Sequence, residues 1–283
     1  MRLKAVIISL ICLSCPCAIC YGQLNFAGVN GENGYAALRG AYVWNLDNGF
    51  TLSPYIGYYR SSDEEEDEGG SSSRYGLNTD YELNDFWSVG ARAFWQPKAL
   101  GYQNVGYFLH THIIPFYRWS VFKNPRMGVQ VGQTRYSSYV DKASLPLQDT
   151  FRQVETSSTL DAQSEVGPFI LKAQWHKVIK YKNNVPHDVT FGWADVPFMT
   201  AVVQGFIKEA SALHISYPTT KITPYAALAR YRYVELSEPA VAVSAGLHLM
   251  VGQTKLSGGV EIFEPRREAN RKTYFSMSAE VKF

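Results

Sequence analysis

Apolar and polar residues alternate with a period of two through most of this chain. Val241, Val243, Ala245, Leu247, Leu249 and Val251 fall on one face of a single extended segment, and Ala242, Ser244, Gly246, His248 and Met250 on the other. Trp87, Val89, Ala91, Ala93 and Trp95 oppose Ser88, Gly90, Arg92 and Gln96. Tyr75, Leu77, Thr79, Tyr81 and Leu83 oppose Arg74, Asn78, Asp80 and Glu82. The last nine residues put Phe275, Met277, Ala279, Val281 and Phe283 against Ser276, Ser278, Glu280 and Lys282. Successive strand residues point to opposite faces, so each segment reads as a strand with one greasy and one wet side. About fourteen such segments are predicted, near 23–29, 35–45, 50–60, 74–83, 86–96, 105–118, 126–136, 156–166, 169–180, 201–216, 222–234, 240–251, 255–263 and 273–283. Aromatic residues cluster at their ends. Asp47-Asn48-Gly49, Asn84-Asp85, Gly167-Pro168, Pro218–Lys221 and Gly252-Gln253-Thr254 are short turn-forming connections, while 61–73, 137–155 and 181–200 are long ones.

The front end differs from the rest. Arg2 and Lys4 precede an apolar stretch from Ala5 to about Leu13, then small residues up to Gly22. This is secretory-signal anatomy, with cleavage predicted after Gly22. The chain therefore divides into a signal peptide, 1–22, and one mature domain, 23–283. The apolar stretch is short for a membrane-spanning helix of ~20 residues. Cys12, Cys15, Cys17 and Cys20 all precede the cleavage point, so disulfides and thiol chemistry are excluded from the mature domain. None of them has the Leu three residues earlier that a lipoprotein signal uses. The whole chain has 27 Lys+Arg and 25 Asp+Glu, and losing Arg2 and Lys4 leaves the mature domain neutral. Neutrality gives no support to nucleic-acid binding as a bulk property.

After the signal no apolar run approaches helix-spanning length. Only a closed barrel can then cross a membrane, because it alone pairs every backbone group in lipid. A soluble sandwich or lipocalin-like barrel also alternates. Strand count separates them, since a barrel of twelve or more strands has a lumen too wide for side chains to fill.

The terminal strand Phe275–Phe283, ending in an aromatic residue behind a secretory signal, resembles the closing strand of Gram-negative outer-membrane β-barrels of porin-like type. The resemblance implies an all-β fold, a single antiparallel transmembrane barrel of about fourteen strands, with twelve as the alternative. It implies an outer-membrane location, contact with membrane lipid and lipopolysaccharide, and recognition of Phe283 by the barrel-assembly machinery. It also fixes direction: the last strand runs from outside to inside. Counting back puts the three long loops outside and the short turns named above inside, as such barrels require. That parity test is what argues for the weak first strand at Gln23–Val29.

Basic residues outnumber acidic ones on the polar faces. The predicted pore lining is Arg39, Arg92, Arg118, Lys172, Lys208, Arg230, Arg232, Asp161, Glu165 and Glu261. Arg39, Arg92, Lys208, Arg230 and Arg232 fall nearest mid-height. A basic band in a water-filled lumen favours anions, unless the charges pair among themselves. Asp63–Glu68 followed by Gly69-Gly70-Ser71-Ser72-Ser73 is a low-complexity acidic loop, expected to be solvated and without fixed structure. His110, His112, His176, His214 and His248 fall on polar faces. His110 and His112 share one side of a strand, but spacing supplies no third ligand, so hydrated lumen histidines are expected and no metal site. His214 and Ser216 have the two-residue spacing of the base and nucleophile in barrel phospholipases. No Asn follows within the strand, and the pair lies beside the Pro218 turn, the wrong end for that family. Val131–Arg135 and Val251–Lys255 look like a repeat that the predicted topology places at opposite ends. No nucleotide, phosphate-loop or zinc motif follows residue 22. The expected function is passive diffusion of small hydrophilic solutes through a charged pore, anion-biased where its basic residues are unpaired, with no enzymatic activity and no cofactor. A lipid-acting barrel enzyme and a non-conducting structural or adhesion barrel are the alternatives, and sequence does not decide whether a loop plugs the lumen.

Overall fold

All fourteen alternating segments become strands in the computed structural model, which describes residues 22–32, 34–46, 48–61, 70–99, 102–115, 121–138, 152–182, 190–191, 203–204, 206–234, 238–264 and 271–283. They are β1 (Gly22–Gly31), β2 (Ala36–Asn45), β3 (Phe50–Ser61), β4 (Gly70–Asn84), β5 (Trp87–Ala99), β6 (Tyr102–Ile113), β7 (Phe122–Ser138), β8 (Arg152–Val166), β9 (Phe169–Tyr181), β12 (Ile207–Ser216), β13 (Ile222–Tyr233), β14 (Ala240–Val251), β15 (Thr254–Glu264) and β16 (Lys272–Lys282). Between β9 and β12, β10 (Thr190–Phe191) pairs with β11 (Val203–Gln204) outside the main sheet. The predicted 201–216 segment is thus shorter, beginning at Ile207. Residues 1–21 of the predicted signal peptide and Arg118 lie outside the described residues, while Gly22, its predicted last residue, is the first of β1.

The fourteen strands form one closed antiparallel barrel, each paired with its neighbour in sequence among the barrel strands. Closure rests on the weak first strand. β1 pairs with β16 from Gln23↔Lys282 to Gly31↔Tyr274, and the Phe283 N–H donates to the Gly22 carbonyl at 3.0 Å. The twelve-strand alternative is excluded. Traced once around the barrel, the register returns to β1 roughly 14 residues further along. Fourteen strands at ~4.8 Å spacing and ~3.4 Å rise then give a tilt of roughly 35° and a Cα diameter of about 26 Å. Hairpins turn at Gly167 (φ 59°) and Gly252 (φ 60°), where the left-handed backbone favours glycine. The two longest connections, after β7 and β9, leave from one end together with the one after β3, while the short turns named from sequence close the other, where the β6–β7 connection is as long as the one after β3.

Period two has no sign, and solvent exposure supplies it. Met277 is 75% exposed and Phe275 57%, with Leu247, Leu109 and Leu213 alongside. The polar partners Ser276, Ser278 and Ser244 are partly buried, facing inward. An apolar surface of this extent cannot face water; it faces lipid. Outward aromatics form two belts. Tyr42, Trp44, Trp87, Phe169 and Tyr217 lie at the short-turn end, and Tyr58, Tyr75, Trp95 and Trp175 toward the loop end. Tyrosine and tryptophan suit both interfaces, being apolar in body and polar at the tip.

The acidic run Asp63–Glu68 lies outside the described residues, but one expectation fails just after it. β4 begins at Gly70, so Gly70–Ser73 are strand rather than loop and pair with Tyr58–Ser61 of β3. Backbone pairing with an existing strand edge overrides the loop-like composition.

Candidate functional site

The lumen has two chemically distinct halves. Toward the loops the inner wall is aromatic and tightly packed. Tyr35, Tyr59, Tyr231, Tyr233, Tyr274 and Phe263 form one buried cluster with small residues such as Ala210 and Ala240. Tyr231 is 0% exposed. Tyr35 packs edge-on against Tyr59 at 5.5 Å and Tyr274 at 5.2 Å, and burial there pushes its phenol above the ordinary tyrosine range. Phe206 sits edge-on between Tyr136 and Tyr181, and the Tyr136 hydroxyl donates to Glu155 Oε2 at 2.9 Å.

Arginines line one side of the wall by stacking. Arg39 lies 4.4 Å from the Tyr55 ring centroid, Arg74 3.9 Å from Phe94 and Arg92 4.6 Å from Phe108. The rings themselves lie flat because the facing strand offers glycine. Phe94 pairs with Gly106, and Phe108 with Gly132. A Cβ at either glycine would run into the ring. The absent side chain leaves a groove that the aromatic fills.

Toward the short turns the inner wall is polar. One side carries Asp80, His110, His112 and Asp161. The strands that follow, from β9 to β15, carry Lys172, His214, Tyr225, His248 and Lys255. Tyr225 is stacked between His214 (5.3 Å) and His248 (4.7 Å), and His248 Nδ1 is 2.8 Å from Ser257 Oγ. A cavity of about 600 Å³ opens beside this stack, lined by Arg39, Tyr225, His248, Lys255, Ser276 and Glu280 among others.

Of the predicted lining, Arg39, Arg92, Lys172, Asp161, Glu165 and Glu261 lie on the inner face. Glu261 is deeply buried at 3% exposure, and Glu165 accepts a hydrogen bond from Asn124 Nδ2. Three residues do not fit. Arg230 and Arg232 alternate with Ala229, Tyr231 and Tyr233, which point into the buried inner cluster, so both arginines lie on the outer face. There Arg232 meets Glu209 at 3.9 Å, and Glu209 accepts from Trp175 Nε1 at 2.7 Å. Near the membrane interface an outward cation is cheap, so charge did not mark the lumen. Lys208 occupies a β-bulge between Ile207 and Glu209. It is exposed between buried Ile207 and outward Glu209, because one extra residue breaks the alternation.

Sequence reasoning missed the partners of the histidines. His110 Nε2 lies 2.7 Å from Asp80 Oδ1, and His112 Nε2 lies 3.8 Å from Asp161 Oδ1. His176 Nδ1 lies 2.9 Å from Thr159 Oγ1. His214 and Ser216 both face the lumen rather than lipid. Val131–Arg135 lies within β7 and Val251–Lys255 spans the β14–β15 turn, so the apparent repeat has no common structure.

A closed antiparallel barrel with a lipid-facing apolar band, interfacial aromatics and a charged interior defines a bacterial outer-membrane β-barrel protein. No protein-family model and no curated protein sequence matches the chain. Among solved structures it is similar to the CymD monoaromatic hydrocarbon channel, with a TM-score of 0.56, 14% identity, and 93% of this chain and 88% of that one covered. It is also similar to the toluene transporter TbuX of Ralstonia pickettii (TM-score 0.55, 12% identity, 93% and 89% covered). The toluene transporter TodX of Pseudomonas putida gives 0.50, 10%, 93% and 88%. At these identities the likeness is one of fold.

Proposed function

We propose that this barrel is a pore for passive diffusion of small hydrophilic solutes across the outer membrane. The observation that carries this reading is the inner wall at the short-turn end, where Asp80, Asp161, Lys172, Lys255 and Glu280 face a lumen too wide for wall side chains to close. The anion preference is narrower than a simple count of basic residues suggests. Without Arg230 and Arg232 it rests on Arg39, Arg92, Arg126, Lys172 and Lys255, which share the inner wall with Asp80, Asp161, Glu165, Glu261 and Glu280. Acids and bases alternate around the ring of strands, so the anion preference is expected to be modest. Liposome swelling with neutral sugars, followed by single-channel recording, tests the pore. Swelling no faster than in protein-free liposomes overturns it.

A second reading draws on the tyrosine-rich wall at the loop end. Together with the hydrocarbon channels and toluene transporters of similar fold, it favours small aromatic solutes as cargo. Cells producing the protein would then take up a monoaromatic compound faster than cells lacking it, with no gain for sugars. Neither reading involves catalysis, and the inward placement of His214 and Ser216 supports a non-enzymatic role, since a lipid-acting site needs access to the bilayer. The outward cations Arg230, Arg232 and Lys177 suit lipopolysaccharide phosphates, and the exposed Phe283 suits docking to the assembly machinery.

A further inference from the structure

His110 and His112 point inward from β6, and each is flanked by a glycine on the next strand. Gly90 of β5 pairs with both His110 and Asp80 of β4. Gly128 of β7 pairs with both His112 and Asp161 of β8. Side chains two strands apart start roughly 9–10 Å from each other. They meet here because nothing stands between them. A Cβ at Gly90 would strike the His110 imidazole, and a Cβ at Gly128 would strike both the Asp161 carboxylate and the His112 ring. The result is a glycine-floored cradle holding two imidazoles and two carboxylates. One ligand atom from each of Asp80, His110 and His112 lies within 4.8 Å of the others, and Asp161 stands 3.8 Å from His112 Nε2. The two imidazole rings are 5.6 Å apart. His112 Nδ1 is buried with no hydrogen-bond partner, so the protein alone does not satisfy this ring.

We propose that this cradle binds a divalent transition-metal ion of the zinc class, with Asp80, His110 and His112 as ligands and Asp161 beside His112. Imidazole with carboxylate suits zinc, nickel or copper rather than calcium or magnesium, which take all-oxygen shells. Three protein ligands leave a coordination position open to the lumen, the arrangement of a site that exchanges its fourth ligand. Arg126 faces the same space from β7 and opposes a dication, and the two carboxylates offset it. The site stands on inner-wall geometry and does not require that the barrel conduct.

The test is titration of tag-free refolded protein in detergent micelles with zinc chloride by calorimetry, and with cobalt chloride by visible absorption. One high-affinity ion per chain is expected, with cobalt bands of a nitrogen–oxygen ligand set. His110→Ala/His112→Ala should abolish the bands and weaken zinc at least 100-fold. Asp80→Asn keeps shape and should weaken it about 10-fold, typical of losing a ligand or its support. Gly90→Ala should weaken it by pushing His110 away from Asp80. His214→Ala/His248→Ala, across the barrel, should change nothing. Each variant is scored only after showing the same heat-modifiable gel mobility as the parent. Absence of binding to the parent, or full binding to a folded His110→Ala/His112→Ala variant, overturns the proposal.

Discussion

Reversing a lumen charge should change ion selectivity, and reversing a lipid-side charge should not. Arg39 and Arg230 make the comparison, since both are arginines on barrel strands. With a Cα radius of about 13 Å, the Arg39 guanidinium stands roughly 8 Å from the axis. A unit charge at that distance in water contributes about 0.5 kcal/mol to an ion on the axis, and screening at 0.1 M salt halves it. Arg39→Glu changes the wall charge by two, and cations and anions respond in opposite directions. The permeability ratio should therefore move by about 1 kcal/mol, or roughly fivefold toward cations. Arg230 on the outer face is about 19 Å from the axis, where the same arithmetic gives a change of about 1.2-fold. The assay is reversal potential in a planar bilayer under a tenfold potassium chloride gradient, repeated at high salt, where the Arg39 effect should shrink. Equal shifts from Arg39→Glu and Arg230→Glu would refute the facing assigned to β13. No shift from Arg39→Glu would refute the water-filled path beside it.

Other consequences concern stability and assembly. Leu228→Arg, on the outer face of β13, should lower unfolding free energy in lipid vesicles by about 2–4 kcal/mol, whereas Arg230→Leu two residues on should change it by less than about 1 kcal/mol; comparable losses would mean that neither position has the depth assigned. Gly106→Val should lower the denaturation midpoint in micelles by the equivalent of about 1–3 kcal/mol through overlap with Phe94, and adding Phe94→Ala should recover part of that loss; no recovery would show the strain lies elsewhere. Phe283→Ala should reduce barrel yield in cells while leaving refolding of the purified chain in micelles unchanged, and a defect in both would make Phe283 structural rather than a signal.

The strands were legible because period two is imposed by the backbone and each face has one solvent. Even Gln23–Val29, weak on pattern, followed from the direction of the last strand. Facing was less legible. At mid-height lipid admits only apolar residues, so Leu228 marks its side without ambiguity. Two residues nearer the rim the rule lapses, and Arg230 continues the same side as Leu228 despite its charge. Extending parity from Leu228 would have placed Arg230 and Arg232 outward. Letting charge choose the face placed them inward. Lys208 differs again, because the bulge before Glu209 inserts one residue and nothing in the local pattern announces it.

The histidine cradle shows where reading by strand runs out and reading by register begins. His110 and His112 were visible as neighbours, but Asp80 is 30 positions away in sequence and two strands away in space. Two facts join them: the hairpin at Asp85-Phe86, which sets Asp80 opposite Gly90, and the β5–β6 register from Ala99↔Tyr102 onward, which sets Gly90 opposite His110. The turn was readable from its residues and the β5–β6 register was not. Glycine was the available clue. An inward glycine within an alternating strand has no side chain to pack, so it marks a place where neighbours converge. Gly90 and Gly128 each separate a histidine from an aspartate along the sheet, and that repeated arrangement argues for a built site more strongly than the spacing of the two histidines does.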